Sequence, residues 1–373
     1  MILVPLIFLP LSPPKTAQPP QNGKNRSRTF CLILHTIHIL FIFKKNMEYL
    51  NKETAIARMN ELSASHVPFI FIIDYEAKRS IVLPVSKVNP DECLFDFGTV
   101  SNAAQAQAEN TEAVSWQGNF PAPETYRKSF DTVENYLKAG DISLINLTCR
   151  VPVSTNLSLR DIFCRAEAKY KLWLKDTLVC FSPEIFVRIE NGEISSYPMK
   201  GTINADQPDA EAIIMNDVKE AEEHQSVVQL ISDDLSQVAE KVWVERYRYT
   251  DLLHTNRGNI IQTSSEVRGK LPEDWHTKVG NILFSQLPAG SITGAPKAKT
   301  VGVIAEAENY DRGFYTGVMG WCDGNQLDSS VMIRFIDQEE GKLYFKAGGG
   351  VTARSQWEKE YKEVQQKTYV PIR

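Results

Sequence analysis

A chain of 373 residues with a net charge of −5 has room for one large domain or two ordinary ones, and it lacks the basic excess of a nucleic-acid surface. Its 43% hydrophobic and 23% charged residues suit a globular protein with a sizeable core, and no stretch is long and apolar enough for a convincing membrane span. The six cysteines (Cys31, Cys93, Cys149, Cys164, Cys180, Cys322) are scattered without a C-x-x-C pair, and the six histidines show no H-E-x-x-H spacing. Reduced cytoplasmic thiols are therefore expected, rather than a disulfide framework or a zinc site.

Residues 1–46 contain no acidic residue and six basic ones, so all 46 acidic residues lie beyond them. Such a change of sign marks a boundary. The segment has an apolar start, a Pro-rich middle (Pro13, Pro14, Pro19, Pro20) and an apolar run from Phe30 to Phe43. That run is shorter than the roughly 20 residues a spanning helix needs, and no small-residue cleavage site precedes Met47. An acid-free basic segment also suits a transit peptide. The preferred reading is a translation start at Met47, with 1–46 a dispensable non-native or disordered extension and 47–373 the catalytic domain.

From Met47 the apolar spacing predicts a helix over 47–62, with Ile56, Met59 and Leu62 on one face. Val67–Tyr75 reads as a buried strand with Ile81–Val85 as its partner, and polar Asn102–Glu112 as a loop. Tyr126–Leu137 is predicted helical, ended by Ala139-Gly140-Asp141, and Ile142–Arg150 follows as a strand. Leu178–Phe181, Ile185–Ile189 and Glu193–Tyr197 are expected to form a meander with a tight turn at Asn191-Gly192. Asp209–Glu240 reads as helix with Val227, Ile231, Leu235 and Val238 buried. Asn259–Leu271 is strand-like and Pro296–Glu308 helical. Three antiparallel strands (Thr316–Cys322, Ser329–Ile336, Leu343–Gly348) and a closing helix, Ser355–Lys367, complete the chain. Strands come in runs and helices singly, so the expected fold class is α+β: one large domain of mostly antiparallel sheets with flanking helices.

Several groups of residues carry chemistry. In Pro198-Met199-Lys200-Gly201-Thr202 a lysine follows an apolar strand and precedes a glycine. Such a lysine is ordinarily solvated, but aimed into a cavity it becomes a usable nucleophile. Glu184, in Ser182-Pro183-Glu184 one hairpin earlier, would meet it as an acid/base partner. Gly290-Ser291-Ile292-Thr293-Gly294-Ala295-Pro296-Lys297 brings free N–H groups, two hydroxyls and a lysine to a helix start, which suits either an anion or plain helix initiation. Its spacing is not that of a phosphate loop. Glu223 shares a helical face with Val227, and Glu360 and Glu363 stand at i and i+3 beside Trp357, Tyr361 and Val364. Carboxylates without histidine suit Mg²⁺ rather than zinc, though each set alone also reads as a solvated face. Gly348, Gly349 and Gly350 offer bare backbone to a ligand carboxylate, and Arg334 a bidentate clamp.

Taken in order, these stretches resemble the chorismate-binding enzymes, which include anthranilate, aminodeoxychorismate, isochorismate and salicylate synthases. The resemblance rests on Ala139–Ile142 with Asn146-Leu147-Thr148, Ser182-Pro183-Glu184, Pro198–Thr202, Glu222-Glu223-His224, Gly290–Lys297, Arg312–Gly317, Ile333-Arg334 and Gly348 to Tyr361. The lysine before Gly-Thr resembles the aminodeoxychorismate synthases; anthranilate synthases typically carry alanine there. The resemblance implies that Mg²⁺ on Glu223, Glu360 and Glu363 binds the ring carboxylate, that Lys200 attacks C2 while Glu184 assists departure of the C4 hydroxyl, and that ammonia then displaces Lys200. It implies that Tyr315, Arg334 and the Gly348–Gly350 backbone hold the enolpyruvyl carboxylate and that Thr293 contacts the substrate. Ammonia would come from a separate glutamine amidotransferase subunit, since no glutaminase nucleophile turn is present.

The chain departs from the pattern at Gln262, where the family usually has histidine, at Gln229–Asp234, and at Arg354 in place of an aspartate. A glutamine cannot transfer a proton, which counts against pyruvate elimination. The rivals are anthranilate synthase component I, an isochorismate or salicylate synthase, and a non-catalytic subunit that docks an amidotransferase.

Overall fold

Every strand pairing among the described residues is antiparallel, and the strands make two sheets. The computed structural model describes residues 47–255 and 258–372; the expected N-terminal extension, 1–46, lies outside the described residues. In chain order the first elements are α1 (Lys52–Ala64), β1 (Phe69–Ile73), β2 (Ser80–Pro84), β3 (Cys93–Asp96), β4 (Trp116–Gly118), α2 (Pro123–Lys138), β5 (Leu144–Thr155), α3 (Leu159–Arg165), β6 (Tyr170–Leu174), β7 (Leu178–Ser182), β8 (Ile185–Glu190), β9 (Glu193–Ser196) and β10 (Met199–Asn204). There follow α4 (Ala210–Asn216), α5 (Val218–Leu235), β11 (Lys241–Thr255), β12 (Gly258–Lys270), α6 (Val279–Ser285), β13 (Gly294–Ala295), α7 (Lys297–Ala307), β14 (Val318–Cys322), β15 (Leu327–Val331), β16 (Phe335–Glu339), β17 (Lys342–Val351) and α8 (Trp357–Lys367).

The first sheet runs β10-β12-β9-β8-β15-β14-β1-β2, with β11 on β12; the second runs β13-β5-β17-β16-β7-β6-β3, with β4 on β5. One continuous apolar cluster draws on both sheets (Phe71, Ile189 and Val318 from the first; Val151, Phe181 and Phe345 from the second) and on α1, α2, α5 and α7. The α+β class is as expected. No helix among the described residues is long and apolar enough to cross a membrane.

Three expectations need correction, and one strand carries no sequence signal. The meander is divided: β7 belongs to the second sheet, while β8 and β9 form a hairpin of the first. The run Ser329–Ile336 is two strands in different sheets, because the chain leaves the first sheet after Val331 and enters the second at Phe335. The long helix breaks at Asp217, whose extended backbone and side chain cap α5, the carboxylate accepting from Glu220 N at 2.9 Å. Finally, β11 was unread: it is an edge strand, and none of residues 241–250 is buried, so it lacks an apolar stripe.

The two crossovers run side by side. β8 pairs with β15 and β7 with β16, so the segments joining the sheets at 183–184 and 332–334 are neighbours. Glu184 O accepts from Val331 N (3.2 Å) and Ser330 Oγ (2.7 Å), and Arg334 O accepts from Phe181 N (3.1 Å).

Candidate active site

The seam between the sheets carries the expected acid and the expected clamp. Arg334 is held at a φ of 53°, a left-handed backbone that a long side chain adopts only when its surroundings impose it. Glu184 accepts a 2.8 Å hydrogen bond from Ser291 Oγ of the G-S-I-T-G loop. Burial pushes the Glu184 carboxyl above the usual carboxylate range; the Ser291 hydroxyl and then the charges of Lys200, Lys367 and Arg334 act against burial without overcoming it. Glu184 and Lys200 are close enough for the lysine's charge to act on the carboxyl, across the seam rather than across one hairpin.

Lys200 lies inside β10, opposite Thr263 of β12, rather than after a strand. The pairing slips between Lys200 and Thr202, and Gly201 takes a φ of 77°. A Cβ at Gly201 would stand 3.0 Å from Glu220 Oε2 and 3.3 Å from Ile214. This bulge fixes how Lys200 leaves the strand. Its side chain lines a cavity of about 220 Å³ with Ser143, Glu222, Glu223, Thr352 and Arg354. Beside Glu223, His224 is fully buried, its Nε2 2.6 Å from Ser265 Oγ, and burial pushes its pKa down to about 4, so the ring is neutral at physiological pH.

The glycine run of β17 explains its own composition. A Cβ at Gly350 would stand 2.9 Å from Lys200 Nζ, and one at Gly349 would stand 3.1 Å from Glu363 Oε1 and 3.4 Å from Glu360 Oε2. Any side chain here would displace the amine or the carboxylates. β17 pairs with β5 throughout this run, while β16 stops at Lys346, so the other edge of Ala347–Val351 has no strand beside it among the described residues. Gly348 O accepts from Lys367 Nζ at 2.9 Å, and Lys367 also pairs with Glu363.

The three expected metal ligands are divided: Glu360 and Glu363 converge over Gly349, and Glu223 stands on the cavity wall. Among the described residues no three His, Cys, Asp or Glu side chains form a metal-holding group. Two converging carboxylates, with no nitrogen or sulfur donor, nevertheless fit Mg²⁺, which takes one or two protein carboxylates and completes its shell with water and substrate.

Thr293, expected to touch substrate, is fully buried and its hydroxyl donates to Ala289 O at 2.8 Å, so here it braces the loop. Tyr315 is buried against Phe335 (ring centroids 5.8 Å apart), and Arg334 is close enough for its charge to act on it. Behind them lies a pair that the sequence reading missed. Arg312 makes two hydrogen bonds to Glu308, 2.8 and 2.7 Å, with side chains only 2% and 1% exposed. Arg312 also donates to Ile292 O (3.0 Å) and Asn146 O (2.7 Å), and Glu308 Oε1 accepts from Thr148 N (2.8 Å) and Thr148 Oγ1 (2.7 Å). The pair therefore ties the loop that carries Ser291 to β5.

A family model described as chorismate binding enzyme matches residues 70–373. The chain belongs to the chorismate-binding enzyme family. It is 42% identical over 328 residues to an uncharacterized PabA-like protein of Pasteurella multocida, covering 85% of this chain and 98% of that one. It is 32% identical over 254 residues to anthranilate synthase component 1 of Acetivibrio thermocellus (64% of this chain, 50% of that one). It is 30% identical over 264 residues to aminodeoxychorismate synthase component 1 of Salmonella typhimurium (67% and 57%). The matched region thus spans only 50% and 57% of these two component 1 enzymes. The fold is also that of a 2,3-dihydroxybenzoate-specific isochorismate synthase of Bacillus anthracis, with a TM-score of 0.66 at 21% identity over 85% of this chain and 86% of that one. The protein is a chorismate-utilizing enzyme of the anthranilate and aminodeoxychorismate synthase component I type.

Proposed function

We propose that this chain aminates chorismate at C4 with ammonia to give 4-amino-4-deoxychorismate, the precursor of 4-aminobenzoate and folate. The observation that carries the reading is Lys200, aimed by a bulge into a cavity and close enough to the buried carboxyl of Glu184 for its charge to act there. Lys200 Nζ attacks C2 and gives up a proton, the two conjugated ring double bonds each shift by one position, and the C4–O bond breaks as Glu184 delivers its proton to the leaving hydroxyl. Ammonia then bonds to C4, both double bonds shift back, and the C2–N bond to Lys200 breaks as a proton passes from the new ammonium to the departing amine. Glu223, Glu360 and Glu363 would hold Mg²⁺, which supplies positive charge to a substrate carboxylate. Arg334 and the open edge of Gly348–Gly350 suit the second carboxylate. The ammonia would be delivered by a separate glutamine amidotransferase subunit.

Anthranilate formation is the second reading, favoured by the 32% identical Acetivibrio thermocellus relative. It requires loss of pyruvate. Lys200 and the glutamine at position 262, paired opposite Thr202, support the first reading instead. Incubation with chorismate, ammonium and Mg²⁺ should release 4-amino-4-deoxychorismate without pyruvate, and chelation should stop it. Release of anthranilate and pyruvate would select the alternative.

Ser291 gives the acid role a sharp pH signature. An acid works while protonated, so kcat/KM should fall as pH rises through the Glu184 pKa. The Ser291 hydroxyl favours the ionised carboxylate, so Ser291→Ala should raise that pKa further and move the alkaline limb to higher pH. A limb that stays in place in Ser291→Ala would assign it to another group.

A further inference from the structure

The rim of the Lys200 cavity carries an ion pair that the proposed chemistry leaves unused. Arg354 Nη1 donates to Glu222 Oε2 at 2.9 Å, linking the turn before α8 to α5, and the two side chains are 68% and 57% exposed. Both residues line the cavity with Lys200 and Glu223. The turn beneath Arg354 is pinned: Ser355 N donates to Thr352 O (3.0 Å), Thr352 N to Ser355 Oγ (3.2 Å) and Arg354 N to Thr352 Oγ1 (3.4 Å). The guanidinium, by contrast, stands exposed at the end of its side chain. An exposed pair holds its partners weakly, because water solvates each nearly as well, so Arg354 can change partner at little cost. The formal charges of Lys200, Glu222, Glu223 and Arg354 on the cavity wall give no positive excess, so their combined charge does not by itself favour an anion. Favour comes if Arg354 exchanges its partner.

We propose that Arg354 is the capture residue of the site: its guanidinium exchanges the Glu222 carboxylate for a carboxylate of the entering substrate, and Glu222 is the competitor that sets how tightly anions are held. This rests on the reading that the substrate is chorismate, a dicarboxylate. The planar fork of arginine binds a carboxylate through two parallel hydrogen bonds, which neither a lysine nor the aspartate usual in the family can do.

Calorimetric titration of chorismate, with Mg²⁺ present, tests this without reference to the product formed. Arg354→Ala should weaken binding about tenfold, the scale of one charge-assisted hydrogen-bonded contact. Glu222→Gln should tighten binding, and Arg354→Lys should fall between the parent and Arg354→Ala. Opposite signs in Arg354→Ala and Glu222→Gln are the signature, because a pair that only braces the turn against α5 is lost in either variant and would shift both the same way. Shifts of one sign, or parent-like affinity in Arg354→Ala, would overturn the role of Arg354 and leave the substrate reading intact. A parent protein that binds no chorismate would sink the substrate reading and this role together.

Discussion

Lys200→Ala should remove the covalent step and lower turnover by several orders of magnitude, each factor of ten corresponding to about 1.4 kcal/mol of barrier. The side chain is half-buried on the cavity wall, and the backbone of Lys200 is held by pairing with β12 whatever the side chain, so the variant should fold normally. Without the amine, the only route left is direct attack of ammonia at the ring, which forfeits the division of one hard displacement into two easier ones. The decisive readout is mass spectrometry of enzyme quenched with chorismate in the absence of ammonia. The parent should carry an adduct on the peptide containing Lys200, and Lys200→Ala should carry none. An unmodified parent, together with a variant as fast as the parent, would reduce the lysine to a structural residue and promote the anthranilate reading.

Glu308→Ala should destabilise the fold by about 3–5 kcal/mol, the usual cost of stranding one partner of a buried pair. Arg312 would be left buried with a charge and no counter-charge, and Thr148 N and Oγ1 would lose their acceptor. The midpoint of urea unfolding should fall with little change in slope. Replacing both partners, as in Glu308→Leu with Arg312→Met, should recover part of that loss, because no charge is then stranded, although the Ile292 and Asn146 carbonyls still lose their donor. A single variant as stable as the parent would mean that the pair contributes no more than an exposed one.

The legibility of the chain follows physical lines. Strongly periodic helices such as α2 and α8, and the hairpin at Asn191-Gly192, were readable because their apolar spacing and turn residues are local signals. The seam was not readable. Ser329–Ile336 is an unbroken run by hydrophobicity, and a change of sheet leaves no mark on that scale. Lys200, Glu184 and the glycine run could be nominated from motifs, but the reason for the glycines is steric and appears only once Lys200, Glu360 and Glu363 are seen around them. Glu308 and Arg312, four apart, read as an ordinary surface pair, and only their burial makes them important. Arg354 was legible as a departure from a pattern; its partner Glu222 was not.

Glu184 and Arg334 ride on the two backbone bridges that fasten one sheet to the other, and the carbonyl of each is hydrogen-bonded to a strand beside the opposite bridge. The proposed catalytic groups and the tertiary fastening consequently share the same backbone. If Glu184 and Arg334 act as proposed, a molecule whose layers slide apart would lose proton donor and anion clamp at one stroke. A rim position such as Arg354 escapes that constraint, because its exposed side chain can be exchanged without unfastening the layers.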